Sequence, residues 1–296
     1  MRFFLQLVFL LATVSLQAKT KQADLVVFSY DRPMQLYACL ESVEKYIIGL
    51  EKQHVIYRTS SEAFDKAYRV VEARFPNVIF HKQSKVEPHV DFKKFVLFSV
   101  YSKLSSAEYV LFGVDDIIVK DTVDIEPCVK AMQKEEAWGF FLRLGKNITH
   151  TFSHGRDTPV PPGTTTKEQY FVWEFHQGQG DWCYPNTVDM TLYNKEKINK
   201  YLKTTDYTNP YFLEDKWAQV ADYQKKGICS LQSKVINIPV NQVGAFANRC
   251  LNTYTPQELL KLFEQGLKID IKAFYRIENR SAHADVPLSF IPRMPF

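Results

Sequence analysis

The chain has 296 residues, 46% hydrophobic and 24% charged, a globular composition that excludes a disordered, collagen-like or polytopic membrane protein. Lys and Arg number 37 against 33 Asp and Glu, a net charge of +4 with the basic residues scattered, so no nucleic-acid footprint is indicated. The 22 phenylalanines and 16 tyrosines suit a large core and aromatic-lined pockets.

The N-terminus reads as a targeting leader. Arg2 supplies a positive start, residues 3–16 form an apolar run broken only by Gln6, Thr13 and Ser15, and the small Ala18 precedes polar Lys19-Thr20-Lys21. The run is too short to span a bilayer comfortably. The expectation is a signal peptide or short anchor over 1–18, one continuous domain over 19–296, and an exported, membrane-associated or secretory-lumen protein. Any membrane association would rest on that segment alone.

Residues 25–29, LVVFS, form a continuous apolar run typical of a strand buried on both faces. Asp31-Arg32-Pro33 interrupts it, and Pro33 suits the first turn of a helix in which Leu36, Leu40, Val43 and Ile47 recur at helical spacing. A strand over 54–58, a helix over 61–75 capped by Ser60 or Ser61, a strand over 78–81, a helix over 91–104 and a strand over 109–114 follow. The alternation predicts an α/β fold with a mostly parallel central sheet flanked by helices.

The second half is less regular. Residues 138–144 read as a strand, 145–185 as loop, 194–202 and 215–225 as helices, 235–238 as a short strand, 256–266 as a capped helix, and the tail from 284 as extended. The five cysteines show no CxxC and no zinc spacing. Cys39 and Cys128 read as buried thiols, while Cys183, Cys229 and Cys250 leave room for one disulfide in an exported chain. Asn147-Ile148-Thr149 and Asn279-Arg280-Ser281 match glycosylation sequons, which matter only in a eukaryotic secretory setting.

Ligands of parallel sheets bind at the carboxyl ends of strands. Both Asp31-Arg32 and Asp115-Asp116 sit at such ends, so the two are expected to meet in one cleft. Adjacent carboxylates repel and raise each other's pKa, a conflict that a divalent cation removes. Oxygen ligands suit Mg²⁺ or Mn²⁺, which keep positions open for substrate phosphates. The alternative is a solvated acidic turn. A second acidic pair, Glu214-Asp215, is expected at the head of a helix, where the helix dipole alone could account for it.

The segment VVFSYDRPMQLYACLESV resembles the opening of GT-A glycosyltransferases. YVLFGVDDIIV resembles their "DxD" strand, FLEDKW their "xED" element, and Asp-Trp-Cys-Tyr-Pro at 181–185 their acceptor-side aromatic segment. In motif order the resemblance covers roughly residues 24–283. It implies that Phe28, Ser29, Tyr30, Asp31 and Arg32 line the base and ribose pocket. Asp115 and Asp116 would hold the ribose and a metal bridging the diphosphate, Asp116 being the better match to the metal-binding acid. The motif is Val-Asp-Asp rather than Asp-x-Asp, which leaves open whether one acid or both touch the metal. Asp215, or else Glu214, would be the catalytic base of an inverting enzyme, and Trp182 and Tyr184 would stack on an acceptor sugar. His283 could add a neutral metal ligand, as a late histidine does in some members, or be a surface-loop histidine.

The expected activity is metal-dependent transfer of a sugar from a nucleotide-diphosphate donor to a hydroxyl of a carbohydrate or other acceptor, with Mn²⁺ or Mg²⁺ as cofactor and no nucleic-acid partner. Negative charge builds on the leaving diphosphate and the acceptor hydroxyl must lose a proton. A non-catalytic sugar- or nucleotide-binding module on the same fold, and a metal-dependent phosphoesterase, are the competing readings.

Overall fold

The computed structural model describes residues 22–243 and 249–294. The leader expected over 1–18 lies outside them. Nine strands form one sheet: β1 (Ala23–Tyr30), β2 (Leu50–Arg58), β3 (Val78–Lys82), β4 (Tyr109–Val114), β5 (Gly139–Phe141), β6 (Gly163–Thr165), β7 (Tyr170–Glu174), β8 (Thr191–Asn194) and β9 (Lys226–Ser230). Their spatial order is β6-β7-β9-β5-β8-β4-β1-β2-β3. β2, β3 and β4 run parallel to β1. Two successive antiparallel pairings, through β8, restore that direction in β5 and β9, and two more, through β7, restore it in β6. Only β7 and β8 oppose the rest, so the sheet is mostly parallel in direction.

The apolar run of β1 is explained by its central position, because successive side chains leave on opposite faces. Leu25 and Val27 enter one core with helices α1 (Pro33–Tyr46), α2 (Glu62–Arg74), α4 (Ile125–Lys134) and α7 (Pro256–Glu264). Val26 and Phe28 enter the other with α3 (Pro88–Tyr101), α5 (Lys195–Thr204) and α6 (Pro210–Ala218). The result is three layers, helices on both faces of the sheet.

Local signals fix the helix starts. Arg32 is the N-cap of α1 with Pro33 in its first turn, the Ser61 hydroxyl accepts from Phe64 N–H, and Thr255 with Glu258 forms a capping box on α7. α3 begins three residues earlier than expected. The helix expected over 215–225 lies instead over Pro210–Ala218, because Asn209 caps it at Phe212 N–H and Pro210 opens it. Glu214-Asp215 is therefore mid-helix, and a helix-terminal dipole does not account for it. Residues 145–185, expected as loop, contain β6 and β7, and β8 and β9 are further strands beyond those expected. All five cysteines are free, correcting the disulfide that Cys183, Cys229 and Cys250 left room for; Cys229 is buried within β9. No helix among the described residues is long and apolar enough to cross a membrane.

Candidate active site

The chain builds outward from β1 to β2 and β3, then returns to place β4 on the other side of β1. This reversal opens a crevice at the carboxyl ends of β1 and β4. Phe28 lies opposite Val114, and Asp115 N–H donates to Phe28 C=O at 3.1 Å, so Ser29–Arg32 and Asp115-Asp116 emerge side by side. Asp31 holds a left-handed backbone (φ 52°), which aspartate tolerates better than most residues, and its carboxylate accepts from Ser60 N–H at 2.8 Å. Burial raises the Asp31 pKa and the Ser60 bond opposes it.

Arg32 turns back into the crevice. Its Nη1 donates to Asp115 Oδ1 at 3.1 Å and to Asp116 Oδ2 at 3.3 Å. Its Nε donates to Asn241 Oδ1 at 2.9 Å and its Nη2 to the Asn241 carbonyl. Asp115 also accepts from the Ser29 hydroxyl at 2.8 Å and from Tyr30 N–H at 3.4 Å. A cavity of about 370 Å³ opens beside this cluster, lined by Phe28, Ser29, Tyr30, Arg32 and Asp115 together with Ile56, Arg58, Gln83, His89, Phe92 and residues 208–211. The corner and Asp115 thus share one cavity, while Asp116 lies behind its wall, tied to it through Arg32. Asp31, expected to line it, turns its carboxylate away to Ser60.

The two acids differ in surroundings. Burial raises the pKa of Asp115, opposed by Arg32 and Ser29. Burial pushes Asp116 up to about 6; Arg32 and His283 oppose the rise, while Asp115 and Asp189 reinforce it. His283 Nε2 lies 3.8 Å from Asp189 Oδ2, and its side chain is 30% exposed.

Glu214 and Asp215 point in different directions. Glu214 accepts from Val188 N–H at 3.0 Å. Burial and the neighbouring Asp189 lift its pKa to about 7, against the Thr187 hydroxyl, Val188 N–H and Arg143. Asp215 instead accepts from Gln219 at 3.0 Å on the outer side of α6. Of the two carboxylates named for base catalysis, Glu214 lies beside Val188, Asp189 and Arg143, and Asp215 beside Gln219.

The acceptor-side pair also divides. Trp182 is fully buried: its indole N–H donates to Ile148 C=O at 3.0 Å and its ring meets Trp173 edge-on at 4.9 Å. A ring enclosed in the core has no face to offer a sugar, which corrects its expected stacking role. Tyr184 is half-buried, with the Arg143 guanidinium 5.9 Å from its ring, and burial and then Glu214 raise its pKa.

Three site residues escape a reading of the sequence. Asp189 sits beside His283 and Glu214, next to Met190 in a strained left-handed conformation (φ 42°) of the kind that concentrates at functional sites. Arg143 is 2% exposed, pairs with Asp181 at 2.7 Å, and leaves Nε and Nη2 without hydrogen-bond partners. Asn237 is 1% exposed and donates to Asp116 Oδ1 at 3.5 Å. A charge in the apolar run FFLRL and an amide in VINIPV were the available signals for the last two.

The donor set fits a hard divalent cation: buried carboxylates whose mutual repulsion Arg32 offsets only in part, with an imidazole beside them. Among the described residues, however, no three His, Cys, Asp or Glu side chains are grouped closely enough to hold a metal by themselves. Both sequons are built into the fold, Asn147 donating to Ser233 and to Asn279 C=O, and Asn279 to Ser281 C=O.

The chain is similar to the bifunctional glycosyltransferase pgtA of Dictyostelium discoideum, 28% identical over 195 residues that cover 60% of this chain and 24% of that protein. It therefore spans about a quarter of the length of the curated relative it matches. Among solved structures it is similar to S. aureus TarS 1-349 (15% identical, 72% of this chain and 58% of that one, TM-score 0.40). It is also similar to GalNAc-T7 with UDP, GalNAc and Mn²⁺ (10% identical, 73% of this chain and 43% of that one, TM-score 0.48). No protein-family model matches the chain.

Proposed function

We propose that this chain is a glycosyltransferase that moves a sugar from a nucleotide-diphosphate donor to an acceptor hydroxyl with the help of Mn²⁺ or Mg²⁺. The observation that carries the reading is the convergence of Arg32, Asp115 and Asp116 across the reversal between β1 and β4, beside a cavity of about 370 Å³ with aromatic walls. Similarity to a curated glycosyltransferase over 195 residues supports the same class.

In this reading Phe28 and Tyr30 flank the nucleoside, and Ser29 and Asp115 hold the ribose. Asp116, Asp115 and His283 would hold the cation, which when bound stabilises charge on the leaving diphosphate. Arg32 neutralises the acids from the protein side and adds a fixed positive charge where the diphosphate departs. Glu214 takes the acceptor proton, since a proton affinity near neutrality suits a general base, and this supports inverting chemistry. Asp189 sustains that affinity through repulsion. Tyr184 borders the acceptor side.

The test is thermal-shift screening with UDP, GDP and CDP, each with and without Mn²⁺. A ligand that binds only the folded state raises its stability by about 2.7 kcal/mol at a hundredfold excess over Kd. Metal-dependent stabilisation by one nucleotide, followed by transfer from its sugar conjugate, is the expected result. No response to any of the three removes the nucleotide-sugar reading.

A further inference from the structure

Asp116 and His283 lie 167 positions apart in sequence, and one short segment, Asn237-Ile238, joins their backbones. Asn237 ends the short strand Val235–Asn237, which pairs antiparallel with Ile117–Val119, the strand that follows Asp116 directly. Asn237 is aligned with Ile117, and the next residue, Ile238, donates its N–H to the Asp116 carbonyl at 2.9 Å. On its other side, Asn237 N–H donates to Ala282 C=O at 2.9 Å and Ala284 N–H donates to Asn237 C=O at 3.0 Å, bracketing His283. Both backbone polar groups of Asn237 are thus spent on the histidine's loop, while its neighbour Ile238 ties the acid's backbone to the same short strand.

The side chain does not share that satisfaction. Its amide nitrogen makes one contact, to Asp116 Oδ1, at the 3.5 Å end of the hydrogen-bond range. Its Oδ1 is buried and has no hydrogen-bond partner among the described residues. An amide oxygen left unpaired in the interior is costly, and native folds rarely keep one without a use. An uncharged oxygen beside carboxylates is a ligand type that hard divalent cations accept, alongside acids and waters. The nearby groups that carry charge are Asp115, Asp116, Asp189, Arg32 and His283.

We propose that Asn237 Oδ1 is a protein ligand of the divalent cation, joining the Asp115-Asp116 pair and His283 in a site drawn from three separate segments of the chain. The inference rests on the metal-dependent reading above and names a residue that reading does not use. It supplies a donor of another kind where, among the described residues, the acids and imidazole are not grouped closely enough to hold a metal by themselves. The amide need only rotate about its terminal bond to present oxygen in place of nitrogen, which a Leu or Ala there could not do.

The experiment is Mn²⁺ titration of the full chain, alone and with UDP or GDP, read by the electron paramagnetic resonance of free Mn²⁺. Melting in EDTA and in Mn²⁺ is measured in parallel for the wild type, Asn237→Ala and Asn237→Asp. Removing the oxygen is expected to weaken Mn²⁺ binding by at least about tenfold, the lower end of what loss of a metal-supporting group costs. Asn237→Asp keeps an oxygen and adds charge, so it is expected to melt below wild type in EDTA, to bind Mn²⁺ at least as tightly, and to gain more in melting temperature on adding Mn²⁺. Asn237→Ala binding within twofold of wild type overturns the inference. So does a folded Asn237→Asp that has lost Mn²⁺. If Asn237→Ala does not fold, the aspartate variant alone decides. A wild type that takes up no Mn²⁺ under any of these conditions defeats the metal reading itself, and this inference with it.

Discussion

Replacing Glu214 with Gln should separate stability from activity. The carboxyl ionises near 4.5 in an unfolded chain but near 7 in the fold. Between those values the folded chain keeps a proton that the unfolded chain has released. Stability therefore falls as pH rises across the window, and the loss is complete above about pH 7. Its ceiling is about 3 kcal/mol, reduced by the solvent that Glu214 still touches. Glutamine has the same shape and retains an acceptor for Val188 N–H, but carries no charge to bury. The variant should match wild type near pH 4 and be more stable at pH 8, by up to roughly 5–10 °C in melting temperature for a chain of this size. Catalysis should move the other way. Loss of a general base costs about 10²–10⁴ in rate, and the acid limb of the wild-type kcat/KM profile, with its apparent pKa near 7, should vanish. Asp215→Asn, altering the carboxylate that faces Gln219, should stay within about tenfold of wild type, because it removes no group from the site. The assays are melting at pH 4 and pH 8 and pH-rate profiles with the sugar donor found by nucleotide screening. An Asp215→Asn variant that loses the acid limb, or a Glu214→Gln variant no more stable than wild type at pH 8, refutes the assignment.

Two further outcomes test the electrostatics. Arg32→Met removes the cation shared by Asp115 and Asp116, and breaking a buried pair this way costs about 3–5 kcal/mol. Urea unfolding at pH 7.5 should show that loss, shrinking toward pH 4.5 as the acids protonate, and a difference below about 1 kcal/mol would contradict the triad. On the α3 face of the sheet, His54 and His81 stack with His54 Nδ1 and His81 Nε2 3.0 Å apart, and burial, then His81, holds the His54 pKa down to about 4. The stabilising effect of neutral His54 is present above about pH 6.5 and disappears as pH falls toward 4, a difference of up to about 3 kcal/mol. His54→Phe should flatten that acid limb, and an unchanged slope would show that another group titrates there.

The first half of the fold was legible because its signals are local. A buried parallel strand must be apolar throughout, and a helix that follows it must be capped, so LVVFS, Pro33 and Ser61 sufficed. The second half hides its strands in shorter pieces. β7 reads Tyr-Phe-Val-Trp-Glu, a strand composition, yet the prolines and threonines around it read as loop. For α6 the acidic pair draws attention as a helix start, although Asn209-Pro210 carries the capping signal. Cys229 looks available for pairing only while β9, which encloses it, goes unrecognised.

The site divides along the same line. Strand-end residues were legible, since topology forces the ends of β1 and β4 together, and Arg32 joining both acids is the physical form of that rule. Asp189, Asn237 and Arg143 answer to no local pattern, because what gives each its role arrives from distant segments: His283 and Glu214 for Asp189, Asp116 for Asn237, Asp181 for Arg143. Their trace in the sequence is polarity where the surrounding run predicts none. A buried polar group without a full set of partners is costly. Its presence in FFLRL and in VINIPV is therefore a statement about chemistry, since packing alone would have favoured an apolar residue at either position.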